Sequence, residues 1–164
     1  MLRVLISRVL QRSMIALNPV MRRILGGRLH RLASANLMLL NFRGRMSGRS
    51  FTTPVSYVQI GDNLYVPGGG AWWKNLAGGP VKVRLDGVWL SATPAVISES
   101  AAMSAALARM IARRPLVGLF TAIRVGHDGL PTPASLERAR TRHGLAVIRL
   151  HLDNSAEIRQ HAAA

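Results

Sequence analysis

The residues Gly44-Arg45-Met46-Ser47-Gly48-Arg49 place two guanidinium groups and a hydroxyl between glycines, and that combination is suited to hold an anion. Guanidinium forks match phosphate and carboxylate geometry. Glycine admits backbone conformations that side-chain-bearing residues resist, and the N–H groups of a tight turn can converge on an anion. The same residues also make an ordinary hairpin turn with solvated arginines, and the turn alone does not separate the two readings. Further on, Gly68-Gly69-Gly70 lets backbone approach a ligand closely. Trp72-Trp73-Lys74-Asn75-Leu76 follows, with apolar walls in the tryptophans and an Asn75 amide that can bond backbone or a ring carbonyl. Core packing is the reading for Trp72, while Trp73 stays open between core and pocket. Tyr57 could line the substrate side of a site, although a strand tyrosine is more often simply core.

The usual catalytic signatures are missing. The chain has no nucleophile-elbow, zinc-protease, Walker or dinucleotide-binding pattern. His30, His127, His143, His151 and His161 lack metal-ligand spacing, and the acidic residues stand singly, so paired-carboxylate chemistry is not indicated. Without cysteine, thiolate nucleophiles, disulfides and Cys-based zinc sites are excluded, and the composition fits a reducing compartment. No residue can be singled out as catalytic. A chain so poor in reactive side chains would take its chemistry, if it is an enzyme, from a cofactor.

Charge points to an anionic partner. The 164 residues carry 22 Lys and Arg against 7 Asp and Glu, a net +15, and residues 1–61 hold ten arginines with no acid. Phosphorylated ligands, anionic lipid and nucleic acid all satisfy such a charge. Nucleic acid is disfavoured because the basic residues lack interleaved aromatics for base stacking. No apolar run is long enough to span a membrane.

The elements that must position these groups follow from periodicity. Over 2–17, Leu2, Leu5, Ile6 and Val9 share one helical side and Arg3, Arg8 and Arg12 the other. Asn18-Pro19 interrupts, and a second helix is expected over 20–33. This arm, 1–36, reads either as a helix lying on an anionic membrane surface through 1–33 or as two helices packed on the domain. Its arginine-rich, acid-poor composition also resembles a transit peptide. From 37 the period becomes two: strands are expected at 37–42, 51–60, 64–66, 81–85 and 88–97, joined by the basic turn, Gly61-Asp62-Asn63 and Asp86-Gly87. A short helix is expected over 71–77 and a longer one over 99–113, capped by Ser98 or Ser100. A shorter apolar segment at 116–124, a charged helix at 134–143 and a strand at 145–152 complete the chain, with a mobile tail from 155. On the closing strand, Val147, Arg149 and His151 are expected opposite Ala146, Ile148 and Leu150. The fold class is therefore α+β: a six-stranded antiparallel split β-barrel over 37–154, with N-terminal amphipathic helices and peripheral helices.

Taken in order, Gly44-Arg45-Met46-Ser47-Gly48, Thr53-Pro54-Val55-Ser56-Tyr57, Gly61-Asp62, Gly68-Gly69, Trp72-Trp73-Lys74-Asn75-Leu76 and Pro80-Val81 resemble the deazaflavin-dependent nitroreductase family. These are split-barrel flavin and deazaflavin oxidoreductases, and the resemblance covers roughly 37–97. It implies coenzyme F420, a deazaflavin with a phosphate and an oligoglutamate tail, with FMN as the alternative cofactor. It implies hydride transfer to a quinone, nitro compound or enone as small-molecule acceptor. Carried onto this sequence, it assigns cofactor binding to Arg45, Ser47, Gly48, Arg49, Pro54, Gly68, Gly69, Gly70, Lys74 and Asn75, and an acceptor pocket to Tyr57 and Trp73. The chain departs from the family's pattern where Met46 and Phe51 replace basic residues, where Pro67 replaces a serine, and in having no tyrosine after Tyr65. Two alternatives stand beside this reading. One is a divergent split barrel holding FMN, heme or a lipid-like ligand without turnover, and the other is a basic membrane-surface protein. A cytoplasmic location, or a peripheral one on the inner membrane face, follows from the first reading, and related barrels pair as homodimers.

Overall fold

The computed structural model describes residues 37–153. The helices expected at 2–17 and 20–33 and the tail expected from 155 lie outside these residues. In chain order the elements are β1 (Leu37–Arg43), β2 (Ser50–Ser56), β3 (Val58–Ile60), β4 (Asn63–Gly68), a 3-10 helix (Trp72–Gly78), β5 (Val81–Leu85), β6 (Val88–Ile97), α1 (Ser100–Arg113), α2 (Leu116–Thr121), α3 (Pro133–His143) and β7 (Ala146–Leu152).

The strands form one antiparallel sheet in the order β2-β1-β5-β6-β7-β4-β3. Its two edge strands, β2 and β3, are consecutive in the chain and separated only by Tyr57. A sheet whose opposite edges are joined by a single residue has to curl, and β2 accordingly lies against β4. This corrects the six-strand expectation to seven. The run expected as one strand over 51–60 leaves the ladder at Tyr57, pairing with β1 before it and with β4 after it. Curling this way protects the edges that an open sheet would leave unpaired.

Two apolar clusters hold the curl. The inner one takes alternate residues, among them Met38 and Leu40 of β1, Leu64 and Val66 of β4, and Ile148 and Leu150 of β7. The outer one takes the intervening Tyr65 and Val147 and packs them under Met103, Leu107 and Met110 of α1 and Leu136 of α3. Val147 lies on the face of Arg149 and His151, as the alternation of the closing strand predicts. It is buried because α1 reaches the start of β7, while Arg149 and His151 lie exposed. The Asp86-Gly87 turn is a hairpin with both residues at positive φ, 46° and 86°, the backbone that suits the twist of paired strands.

Helix ends follow local chemistry. The cap of α1 is Glu99, not the expected serines: its carboxylate accepts the N–H groups of Ala101 and Ala102 at 2.8 and 2.7 Å. These bonds, ahead of a weaker contribution from Arg140, hold its carboxyl below the usual carboxylate range. In α3, Pro133 opens the helix and Gly144 ends it at φ 58°, the left-handed conformation that glycine adopts readily.

Candidate cofactor site

The β1–β2 turn is drawn tight by its own backbone. The Gly44 N–H bonds the Arg49 carbonyl at 2.8 Å, and the Gly48 N–H bonds the Gly44 carbonyl at 2.8 Å. The Arg49 N–H bonds Ser47 Oγ at 3.3 Å, and the Arg45 N–H bonds Asn75 Oδ1 at 3.1 Å. Four of the six turn amides are thereby committed within the fold. The expectation that several backbone amides converge on a bound anion is corrected accordingly. What the turn presents outward is chiefly side chains: the exposed Arg45 and Arg49, and the Ser47 hydroxyl, which keeps its proton to donate. Gly44 lets the turn pack closely: a Cβ there would sit 2.7 Å from Ser47 Oγ and 2.9 Å from a Phe51 ring carbon, so those side chains would have to shift.

Asn75 joins this turn to the 3-10 helix. Its Oδ1 receives the Arg45 N–H, while its Nδ2 donates to the Trp72 carbonyl at 2.9 Å. Below the turn, Phe51 stacks on Phe42, its cross-strand partner, with ring centroids 5.9 Å apart, and Phe42 meets Trp72 at 5.9 Å. Trp72 therefore packs on the inner core, as expected. Trp73 also packs there, and its indole N–H donates to the Gly144 carbonyl at 3.3 Å. Lys74 lies over the Trp73 ring at 5.8 Å from its centroid.

The triple glycine divides in two. Gly68 is the last residue of β4, paired with Ala146 and buried. Its missing side chain makes room for Ile148 Cδ1, which a Cβ would meet at 2.7 Å, so it belongs to the core and not to an open loop. Gly69 and Gly70 form the loop proper. The Gly70 N–H bonds the His143 carbonyl at 2.8 Å, and Gly70 takes φ 77° with open space where a side chain would stand. One contiguous rim results: the basic turn, Asn75, the two tryptophans, Gly70, and the His143-Gly144 corner. That corner was not foreseen as part of the site. Its sequence signal, a glycine closing a charged helix, reads only as a cap.

Two expected residues make none of the hydrogen bonds that build the rim. Pro54 lies in edge strand β2 opposite Leu39, half-buried, where a missing N–H is tolerated. Tyr57 sits at the β2–β3 break and packs on the inner core. Its carbonyl receives the Arg114 guanidinium at 3.4 Å. Burial, then Asp86, push its phenol pKa above the ordinary value, against the opposing effect of Arg114. The phenol is therefore protonated at neutral pH.

Residues 16–115 match the family described as F420H(2)-dependent quinone reductase. The chain belongs to that family. It is an F420-dependent oxidoreductase, and coenzyme F420 is its cofactor. None of the curated proteins compared with it matches. Among solved structures, a protein of unknown function from Agrobacterium tumefaciens superposes with a TM-score of 0.50 at 15% identity, over 79% of this chain and 56% of that one. The heme storage protein HutZ of Vibrio cholerae gives 0.48 at 11%, over 75% and 84%. An F420-H2 dependent reductase gives 0.40 at 13%, over 70% and 93%.

The residues at the rim fit an anionic cofactor. Among the described residues no carboxylate pairs with Arg45 or Arg49, and Lys74 adds a third cation beside Asn75. Glycine at 69 and 70 leaves the adjoining backbone unshielded. The fit has a limit set by two apolar neighbours, Met46 in the turn and Phe51 at the start of β2, which are 91% and 46% exposed. The charge available to an anion is carried by few groups.

Proposed function

We propose that this chain passes a hydride from reduced F420 to a small acceptor of the quinone, nitro or enone class. The observation that supports the proposal is the Asn75 bridge, which ties the basic turn to the 3-10 helix that carries Lys74. When bound, the cofactor supplies the hydride. Arg45, Arg49 and Lys74 bind its anionic groups, with Ser47 donating a hydrogen bond. Gly48, at φ 63°, lets the turn close, and Asn75 orients turn and helix together. Trp73, anchored through its indole N–H, forms an apolar wall against which a flat ring can lie. Pro54 and Gly68 serve by shaping the strands behind the rim.

A quinone gains a hydride at one oxygen or carbon and a proton at the other oxygen, giving the hydroquinone. Tyr57, protonated and held at the barrel seam, is assigned the acceptor side, where its phenol donates a hydrogen bond to the oxygen that accumulates charge. The test is a fluorescence titration of the full chain with F420, with FMN and heme as parallel arms, followed by turnover with a soluble quinone and a nitroaromatic. Saturable binding of F420 in preference to FMN and heme, with quinone turnover, is expected. Absence of a saturable F420 signal defeats the reading.

A further inference from the structure

The outer cluster, which gathers the helices, takes side chains from β3, β4, β6 and β7 and none from β1, β2 or β5. On the outside of those three strands the register sets four residues in a row. Pro54 of β2 faces Leu39 of β1, Leu39 faces Arg84 of β5, and Arg84 faces Trp89 of β6. All four point outward, because their strand neighbours Met38, Leu40, Val55, Val83 and Leu90 pack in the inner cluster. Arg84 is turned along the row: its Nε donates to the Gly87 carbonyl at 3.1 Å, and its guanidinium lies 5.9 Å from the Trp89 ring centroid.

Leu39 is only 4% exposed, as a core residue would be, yet it belongs to neither cluster. A side chain standing off a sheet is flanked by its cross-strand neighbours and closed from above by another layer. Among the described residues the helices of the outer cluster do not supply that layer. The chain itself offers one. Residues 1–36 run directly into Leu37, the first residue of β1, two positions before Leu39. The helix expected over 20–33 is joined to β1 by residues 34–36 alone, a link that reaches at most about 14 Å. Its end is therefore held near the start of β1, where the inside of the barrel is already filled by the inner cluster.

Dimensions and pattern agree. A helix over 20–33 is about 21 Å long, and the row from Pro54 to Trp89, three strand spacings, is about 14 Å. Met21, Leu25, Leu29 and Leu32 fall on one side of such a helix and need cover. The family match begins at residue 16, so this stretch lies within the matched domain and not ahead of it. A second copy laid on the row would leave that apolar side wet, and a bilayer that took the apolar side would leave Leu39 with no layer above it. We propose that residues 20–33 form a helix laid across the outer face of β2, β1, β5 and β6, with Leu39 beneath it and Trp89 at its margin. The segment is then a layer of the domain, and β1, whose far end carries the basic turn, is braced from both sides. Its apolar side is committed to the barrel and not to a membrane.

The chain contains no cysteine, so Lys82→Cys accepts a single benzophenone photo-cross-linker on the full-length protein. Lys82 is exposed on the same face, opposite Asn41 and two residues before Arg84. Leu116→Cys, on α2 and 63% exposed, is the control. In the absence of lipid and F420, light is expected to join position 82 to a peptide within 20–33 of the same chain, read by mass spectrometry after digestion. Position 116 is expected to give no such product. Adding Leu25→Glu with Leu32→Glu, on the side that meets the barrel, is expected to abolish the product, while Arg23→Glu with His30→Glu, on the other side, keeps it. Absence of a product between 82 and 20–33, or equal yields from the two pairs of variants, overturns the proposal. A product of twice the chain mass whose yield rises with protein concentration assigns the face to a second copy and overturns it as well. The cross-link is read without cofactor, so its failure and the failure of the F420 reading are separable.

Discussion

Asn75 ties the basic turn to the 3-10 helix through two hydrogen bonds, one received from the Arg45 N–H at 3.1 Å and one donated to the Trp72 carbonyl at 2.9 Å. Asn75→Ala removes both. A hydrogen bond in a folded protein is worth about 0.5–1.5 kcal/mol net, so the pair contributes about 1–3 kcal/mol, with the lower half favoured because the side chain is only half-buried. If the bridge sets the turn for the cofactor, that energy is read in F420 affinity as a loss of about 5- to 150-fold. Fluorescence titration measures it, and urea denaturation of the same variant measures the share expressed in global stability. Asn75→Asp separates a site role from a scaffold role. Its carboxylate still accepts the Arg45 N–H, but it opposes the Trp72 carbonyl and adds negative charge to a rim that serves anions. For a scaffold alone, Asp ranks between Asn and Ala. For an anion site, Asp binds F420 more weakly than Ala does. An Asn75→Ala affinity within about twofold of the native value, or an Asp variant that binds better than Ala, refutes the assignment.

Removing Arg45 and Arg49 together is expected to weaken F420 binding at least about tenfold at low salt and to flatten its salt dependence, so that the two proteins converge near 1 M salt, where the screening length is about 3 Å. Titrations across a salt series check this. Gly144→Ala forces a side chain into φ 58° and sets its Cβ 2.9 Å from the Gly70 carbonyl oxygen. The left-handed backbone alone costs about 1–2 kcal/mol, so the melting temperature falls, and tryptophan emission shifts as the Trp73 anchor loosens. Glu99→Ala lowers the melting temperature at neutral pH. Because its folded pKa is depressed, the native Glu99 stabilises above the ordinary carboxylate value of about 4.3. That contribution is lost as pH falls through the lowered folded value, so native and variant melting curves converge in acid. Tyr57→Phe leaves F420 affinity unchanged and lowers kcat/KM for a quinone by about twofold to tenfold, the worth of one hydrogen bond. With its pKa raised, the native Tyr57 contribution persists to above about pH 10 and then disappears.

The alternation of apolar residues made β1, β5 and β6 legible, because a period of two survives wherever one sheet face packs and the other is wet. It placed Val147 correctly with Arg149 and His151 but did not show that Val147 is buried, since burial on the outer face depends on where α1 crosses β7, a tertiary fact that local pattern does not carry. It also read residues 51–60 as one strand. Nothing in Ser56-Tyr57-Val58 signals a break, and the break arises because the chain must leave one sheet edge and join the other. In the site, the basic turn, Lys74 and Asn75 were legible from residue type. Their mutual placement came from the resemblance to a family and from the structure. The His143-Gly144 corner was not legible at all, being a backbone contact with Gly70 from the far end of the chain.

Small residues let the chain pack closely at the rim. Gly44 leaves room for Ser47 and Phe51, Gly68 admits the Ile148 side chain, and Gly144 brings its backbone against that of Gly70. Local rules are commonly broken at functional sites, where geometry matters more than the stability of the segment itself. Committing the turn amides to internal bonds has a further consequence. Anion affinity then rests on guanidinium and ammonium groups, and those are screened by salt to an extent that enclosed backbone donors are not. Because charged side chains carry the grip, cofactor affinity here should respond to ionic strength more steeply than in a turn whose amides face the ligand. Restoring charge by Met46→Lys tests this directly: the exposed position tolerates it, and affinity rises at low salt with little change in stability.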